Sequence, residues 1–250
     1  MRRLIPGPVA DVDAFDLYAD APDVRIGMVA SADGSATDEH GWTDGLGGEA
    51  DLRVFRALRA HADGIMMGAA TLRSGRVGPH RMRADLRARR AAAGRPDPAP
   101  VIVVSRSLEL DWTLPVFTAA VTPTIVVTRA AVAGRLPGDV RAVVAGDAEV
   151  DLAAALGELR RRFGVRRLLC EGGPTLAGAL VAAGLADELC LTVAPVLIGA
   201  AHHTPPLALA CGAAARLTGV AEDEGTLFLR YALTNYGEAF SAYNAENRSP

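Results

Sequence analysis

Apolar residues fall along this chain in short runs, divided by glycine, proline and acidic residues, and the period of the runs changes along the chain. Residues 24–30, apolar apart from Arg25 and partly β-branched, predict a strand, closed by a turn at Asp33 and Gly34. A loop rich in glycine and aspartate follows, to about Gly48. Between Glu49 and Ala60 the apolar positions Leu52, Phe55 and Leu58 recur at helical spacing, with acids in the first turn where the dipole favours them. Residues 63–68 predict a short buried strand, 69–73 a short helical turn, and the Arg- and Ala-rich stretch 81–93 an exposed helix. That helix ends at Gly94, before the proline-rich residues 96–100.

The second half alternates more regularly. Strands are predicted at 101–105, 124–128, 140–144, 167–170, 188–193 and 226–231. Helices are predicted at 151–163, with Asp151 near the start, and at 174–183, stopped by Gly184. Strands alternating with helices predict an α/β fold: a mostly parallel central sheet, helices on both faces, and the last strand antiparallel at an edge. No repeat or long linker divides the chain, so 1–250 reads as one domain with its core over about 20–232. The polar tail 235–250 is expected to fray or to pack on a partner.

Composition narrows the function. The formal net charge is −3, which provides no field toward nucleic acid or anionic membrane. The basic run 81–93 has no interleaved aromatics to stack bases and reads as a solvated helix face. No apolar run reaches membrane-spanning length and no signal peptide opens the chain, so a cytoplasmic protein is expected. Cys170, Cys190 and Cys211 are odd in number and lack C-x-x-C spacing, and they read as core thiols. His202 and His203 are adjacent and would point apart on an extended chain, so no metal site is expected.

Candidate chemistry gathers where predicted strands end. Glu171-Gly172-Gly173-Pro174-Thr175-Leu176 reads as strand, glycine turn and helix. Glycines admit a ligand close to the backbone, Pro174 suits a first helical turn, and the free N–H groups of that turn suit a pyrophosphate. Asp33 ends the first strand in an Ala-Ser-Ala-Asp-Gly run, where an acid can bind polar ring atoms or move a proton. Gly68 and Thr71 mark a second strand-to-helix switch, and Ser105 with Arg106 ends another strand with groups suited to a 2′-phosphate. Four such clusters at four strand ends point to a nucleotide-type site.

These segments, with Trp42-Thr43, Leu58-Arg59-Ala60 and Asp187-Glu188-Leu189, resemble the reductase domain of riboflavin biosynthesis. That family comprises the C-terminal half of the bifunctional deaminase-reductase and stand-alone pyrimidine reductases, and the resemblance spans about Val24 to Gly199. It implies a dihydrofolate-reductase-like three-layer fold, NADPH, a homodimer, and reduction of the ribosyl group of a 5-phosphoribosylamino-pyrimidine to a ribityl chain, as in the uracil reductases of the pathway. By the resemblance, Val29, Ala30, Trp42, Gly68, Thr71, Gly172, Gly173, Pro174, Thr175 and Leu176 lie on the cofactor. Ser105 and Arg106 would meet its 2′-phosphate. Asp33, Arg59, Glu171 and His40 lie on the substrate side, with Asp33 and Glu171 as catalytic groups.

Two departures stand out. Many members carry lysine where this chain has Gly27, and Arg25, on the same face of the strand, is its expected partial substitute. The H-x-E and P-C-x-x-C signature of a zinc deaminase is absent, so the chain is expected to reduce and not deaminate. The competing readings are a dihydrofolate or other pterin reductase, and a non-catalytic NADPH-binding sensor on the same fold.

Overall fold

A computed structural model describes residues 1–43, 45–74, 77–95, 97–210 and 212–235. Cys211, Pro96 and the tail beyond 235 lie outside them, and so do the expectations made for them. The elements are β1 (Arg2–Ile5), α1 (Ala14–Leu17), β2 (Val24–Ser31), α2 (Glu49–His61), β3 (Gly64–Gly68), α3 (Ala69–Arg73), α4 (Ala84–Ala92) and β4 (Val101–Val104). They continue with α5 (Pro115–Thr118), β5 (Ile125–Thr128), β6 (Arg141–Val144), α6 (Leu152–Phe163), β7 (Leu168–Cys170), α7 (Pro174–Ala182), β8 (Glu188–Ala194), β9 (Ala213–Asp223) and β10 (Thr226–Asn235).

All the strands join one ten-stranded sheet in the order β1-β9-β10-β8-β2-β7-β3-β4-β5-β6. From β8 to β6 every neighbouring pair is parallel. The expected antiparallel edge is wider than the sequence suggested. β10 lies inside the sheet between β8 and β9, and β1 forms the edge.

The two faces are buried by different helices. Val24, Ile26, Met66, Ile102, Leu168 and Cys170 pack with Leu156 and Leu159 of α6 and with Leu180 and Val181 of α7. The opposite face packs Ile65, Met67, Val101, Val103 and Leu169 against Val54 and Leu58 of α2. The strand period of two separates these sets, so Met66 serves one layer while Ile65 and Met67 serve the other. Asp151 caps α6 by accepting from the Ala154 N–H at 2.9 Å, and Gly164 ends it in the left-handed region at φ 68°.

The basic helix is shorter than expected, and one arginine faces inward. Arg90 is buried and donates to the carbonyls of Ala60, Ala62 and Asp97. Arg89 pairs with Asp13 and Asp16. Part of the run is therefore an anchor for α2 and the following loop, not a free basic face. Among the described residues no helix is long and apolar enough to cross a membrane. None of them gather three or more His, Cys, Asp or Glu side chains as metal ligands would, and His202 and His203 are exposed.

Candidate active site

Strand length creates the site. β2 has eight residues, but β7, which pairs with its first part, has three. The pairing stops at Ile26 and Cys170, while β2 continues beside β8 from Gly27 to Ser31. Beyond Cys170 the chain turns away through Gly172 and leaves a notch alongside the second half of β2. A cavity of about 480 Å³ opens there, walled by Gly27, Met28 and Val29 of β2, by Leu191 and Thr192 of β8, and by Asp51, Val54, Phe55 and Leu58 of α2. Thr43, Gly47 and Gly48 of the preceding loop and Glu171 also line it.

The strand ends that carry the candidate residues are neighbours. β2, β7, β3 and β4 are consecutive in the sheet and parallel, so Ala30, Glu171, Gly68 and Ser105 lie along one edge of it. This is the crevice where open α/β sheets hold ligands. Glu171 is fixed on both sides. Its N–H donates to the Met66 carbonyl at 2.9 Å, and its carboxylate accepts from Arg59 Nε and Nη2 at 2.6 Å each. Arg59 also lies 4.1 Å over the Phe55 ring, so its fork is held before any substrate arrives.

The glycine turn is built for close approach. Gly172 adopts φ 95°, which excludes most side chains, and its carbonyl accepts from Gly68 N–H at 2.9 Å. A Cβ on Gly172 would come 3.3 Å from Met28 Sδ. The Gly172–Gly173 bond is cis. Gly173 is the N-cap of α7 and brings no side chain to the first N–H groups, and Pro174 stands in the first turn. Thr71 Oγ1 lies 3.4 Å from where a Gly173 Cβ would be, so α3 and α7 close on one another at this point.

Other candidates lie elsewhere. Asp33 is exposed and outside the cavity lining. Its carboxylate accepts from Ser31 Oγ at 2.5 Å, from Gly199 N–H at 2.7 Å and from Ile198 N–H at 3.1 Å. Those bonds, with Ser31 foremost, hold its pKa down at about 2. His40 is exposed on a turn closed by Asp38, which accepts from the His40 and Trp42 N–H groups at 2.9 and 2.8 Å. Ser105 is buried and its Oγ accepts from Leu108 N–H at 3.0 Å. Arg106 is exposed and meets Glu149 at 3.1 Å.

Arg25 does not take the place of the missing lysine. It shares the Gly27 face but is buried against Glu188, and Nη1 donates to the Tyr18 carbonyl at 3.3 Å. Glu188 is shared with Arg230 at 2.7 Å, which in turn reaches Asp20 at 2.9 Å. Two guanidiniums around one buried carboxylate need that carboxylate, and neither lines the cavity.

Sequence reading passed over Asp51, which lines the cavity with Thr192 beside it. Burial raises its pKa above the ordinary carboxylate range, and the Thr192 hydrogen bond pulls only partly the other way. Its signal was present: Asp51 stands three, four and seven residues before Val54, Phe55 and Leu58, on the inward stripe of the helix. Cys190 also lines the cavity, but burial pushes its thiol up, which makes it a wall and not a nucleophile.

Residues 22–218 match the model of the RibD C-terminal domain. The chain belongs to the RibD C-terminal domain family. Over 183 residues it is 34% identical to the 2,5-diamino-6-ribosylamino-4(3H)-pyrimidinone 5′-phosphate reductase of Archaeoglobus fulgidus, covering 71% of this chain and 82% of that one. The reductase of the same name from Methanothermobacter thermautotrophicus is 32% identical over 181 residues, 69% of this chain and 74% of that one. Among solved structures, a pyrimidine reductase-like protein from Corynebacterium diphtheriae superposes with a TM-score of 0.76 at 23% identity, over 90% of this chain and all of the other. The family resemblance read from the glycine turn and the other segments between Val24 and Gly199 therefore holds, and the architecture is that of a RibD-like reductase. The two archaeal relatives are named for a 2-amino ring, whereas the resemblance implied a uracil.

Proposed function

We propose that this RibD-family chain is an NADPH-dependent reductase that converts the ribosyl group of a ribosylamino-pyrimidine 5′-phosphate into a ribityl chain. One observation carries this reading: the 480 Å³ cavity lies against Glu171, at the crevice that also holds the glycine turn and the start of α7. A polar ring and a nicotinamide would therefore meet at one point, which is the positioning such a reduction needs. Family membership and the archaeal relatives' names support the substrate class.

The residues present fit a dinucleotide. Gly68, Gly172 and Gly173 leave the crevice open to backbone contact, and the uncapped N–H groups of Thr175 and Leu176 suit a pyrophosphate. Val29, Ala30, Trp42 and Thr71 would border it, and Arg106, tied only by a surface ion pair, is free to turn to a 2′-phosphate. Bound there, NADPH would supply the hydride to the former anomeric carbon of the ring-opened ribosylamine. Glu171, pinned by Arg59, would offset the positive charge that the imine nitrogen carries. Asp33 suits a different task, since a carboxyl with pKa about 2 is a poor proton donor and its oxygens tie the 31–35 turn to Ile198 and Gly199. A second copy of the chain is the expected partner, and the NADPH pool of the cytoplasm the expected setting.

Mass spectrometry of the product tests the reaction. With 4-deuterated NADPH of the transferable face, the product should gain one deuterium at C1′ of an open ribityl chain. Recovery of unreduced ribosylamine with intact NADPH would reject the proposal.

A further inference from the structure

Residues 195–210 follow β8 and contain one 3₁₀ turn, Ala200–His202, and no strand. Most of them are exposed, so hydrogen bonds at two places hold this strap. The first place is the carboxyl end of β2. Ala32 N–H donates to the Val196 carbonyl at 2.8 Å, Ala36 N–H to the Thr204 carbonyl at 2.7 Å, and Thr204 N–H to Ser35 Oγ at 3.1 Å. Asp33 takes the middle of the strap through the N–H groups of Ile198 and Gly199. The second place is α7, where Ala208 N–H donates to the Pro174 carbonyl at 3.0 Å. The Ala208 carbonyl lies over Gly178, where a Cβ would come within 2.1 Å of its oxygen. Pro174 and Gly178 stand one turn apart on the same helix face. Leu207 packs on the core layer that holds Ala177 and Leu180 of that helix.

The strap joins two walls of the crevice. The 31–37 turn continues directly from Val29 and Ala30 of β2, and α7 begins at the glycine turn. Asp33 is the charged member of the joint: the Ser31 hydroxyl and two strap N–H groups converge on its carboxylate. Backbone donors held by an ionised carboxylate make charge-assisted bonds, stronger than a neutral side chain would offer. We propose that Asp33 is a positioning residue for the dinucleotide: it clasps the strap to the end of β2, and the strap seats the first turn of α7 at the distance the cofactor needs. The inference rests on the functional reading above, which puts the dinucleotide at α7. It moves Asp33 from the reacting atoms to cofactor binding. By linkage, a cofactor bound between the two walls must tighten the clasp as much as the clasp tightens the cofactor.

The test titrates NADPH into the full chain by nicotinamide fluorescence and follows backbone hydrogen exchange in parallel. Asp33→Ala should raise the NADPH dissociation constant and KM about tenfold, with kcat at saturating cofactor within about threefold of wild type. Asp33→Asn, which keeps one acceptor oxygen, should recover most of that loss. Gly178→Ala pushes the strap off α7 from its other end and should weaken NADPH similarly, with the double variant losing less than the two single losses multiplied. In Asp33→Ala, exchange should quicken at Ala208 as well as at Ile198 and Gly199, and NADPH should slow it at Ala208 in the wild type. An unchanged dissociation constant in Asp33→Ala overturns the proposal. Joined to a fall in kcat it returns Asp33 to the reacting atoms, and joined to a lower urea midpoint alone it leaves a purely structural clasp. If Asp33→Ala fails to fold, unchanged NADPH affinity in Gly178→Ala overturns the proposal in its place. A wild-type protein that binds no NADPH overturns both this proposal and the reductase reading. Cofactor binding that follows the clasp, in a protein inert toward the ribosylamino phosphate, sustains Asp33 and rejects the reductase reading alone.

Discussion

Glu171 and Arg59 show how a single pair can be both structural and chemical. Two 2.6 Å bonds hold the carboxylate at the cavity wall, and the Phe55 ring holds the guanidinium, so the charge that meets the substrate is already oriented. Glu171→Gln removes that charge while keeping the shape. It is expected to lower kcat/KM about 100-fold or more, with NADPH affinity changed less than about threefold, as read by steady-state kinetics beside fluorescence titration. Arg106 gives a contrasting case. Its partner Glu149 is exposed, so the pair contributes little, and the guanidinium is free for a phosphate. Arg106→Ala is expected to weaken NADPH about tenfold and NADH hardly at all, a charge-assisted contact being worth about 1.5–3 kcal/mol. Equal weakening of both cofactors in parallel titrations would remove Arg106 from the 2′-phosphate.

At the scale of elements, the site depends on where β7 stops and α7 starts. α6 delivers the chain to β7, and its Asp151 cap fixes where that helix begins. Asp151→Ala is expected to cost about 1 kcal/mol, measured as a lower urea midpoint with unchanged slope. Elements with local signals were legible in the sequence: β-branched runs gave the parallel strands, and Asp151, Pro174 and Gly164 marked helix ends. β9 was not legible, because Ala213, Ala214 and Ala215 carry no alternation. It is held extended by pairing with β10 from Asp223 and Thr226 back to Ala213 and Asn235. β1 begins with two arginines, and its strand form comes from β9. In the site, the glycine turn was legible because only glycine serves at φ 95°. Arg25 was not, since same-face spacing cannot say that Glu188 captures it, and for Asp51 the spacing showed an inward stripe but not that a cavity opens there.

The whole molecule carries a pH dependence that the site alone would not give. His61 and His80 are buried and held at about 4, below the ordinary 6.5, first by burial and then by nearby arginines, Arg25, Arg95 and Arg167 at His61 and Arg59 and Arg90 at His80. His61 Nε2 lies 2.7 Å from the Phe15 carbonyl, so it must donate there as the neutral tautomer. A base whose folded pKa is depressed stabilises the fold fully above its unfolded pKa. That contribution is lost as pH falls from about 6.5 toward 4. Urea denaturation should therefore show stability declining across this window, and His80→Gln should make the decline shallower. A stability that stays flat from pH 7 to pH 4 would contradict the assignment of both rings as buried neutral groups.

The central claim is that the notch beside β2 brings a ribosylamino-pyrimidine and a nicotinamide together. Its most direct test is the loss of nicotinamide absorbance when NADPH, the protein and 2,5-diamino-6-ribosylamino-pyrimidinone 5′-phosphate are mixed, with dihydrofolate run in parallel. The account predicts sustained oxidation with the pyrimidine and none above background with dihydrofolate. Oxidation with dihydrofolate alone, or with neither compound, would contradict it.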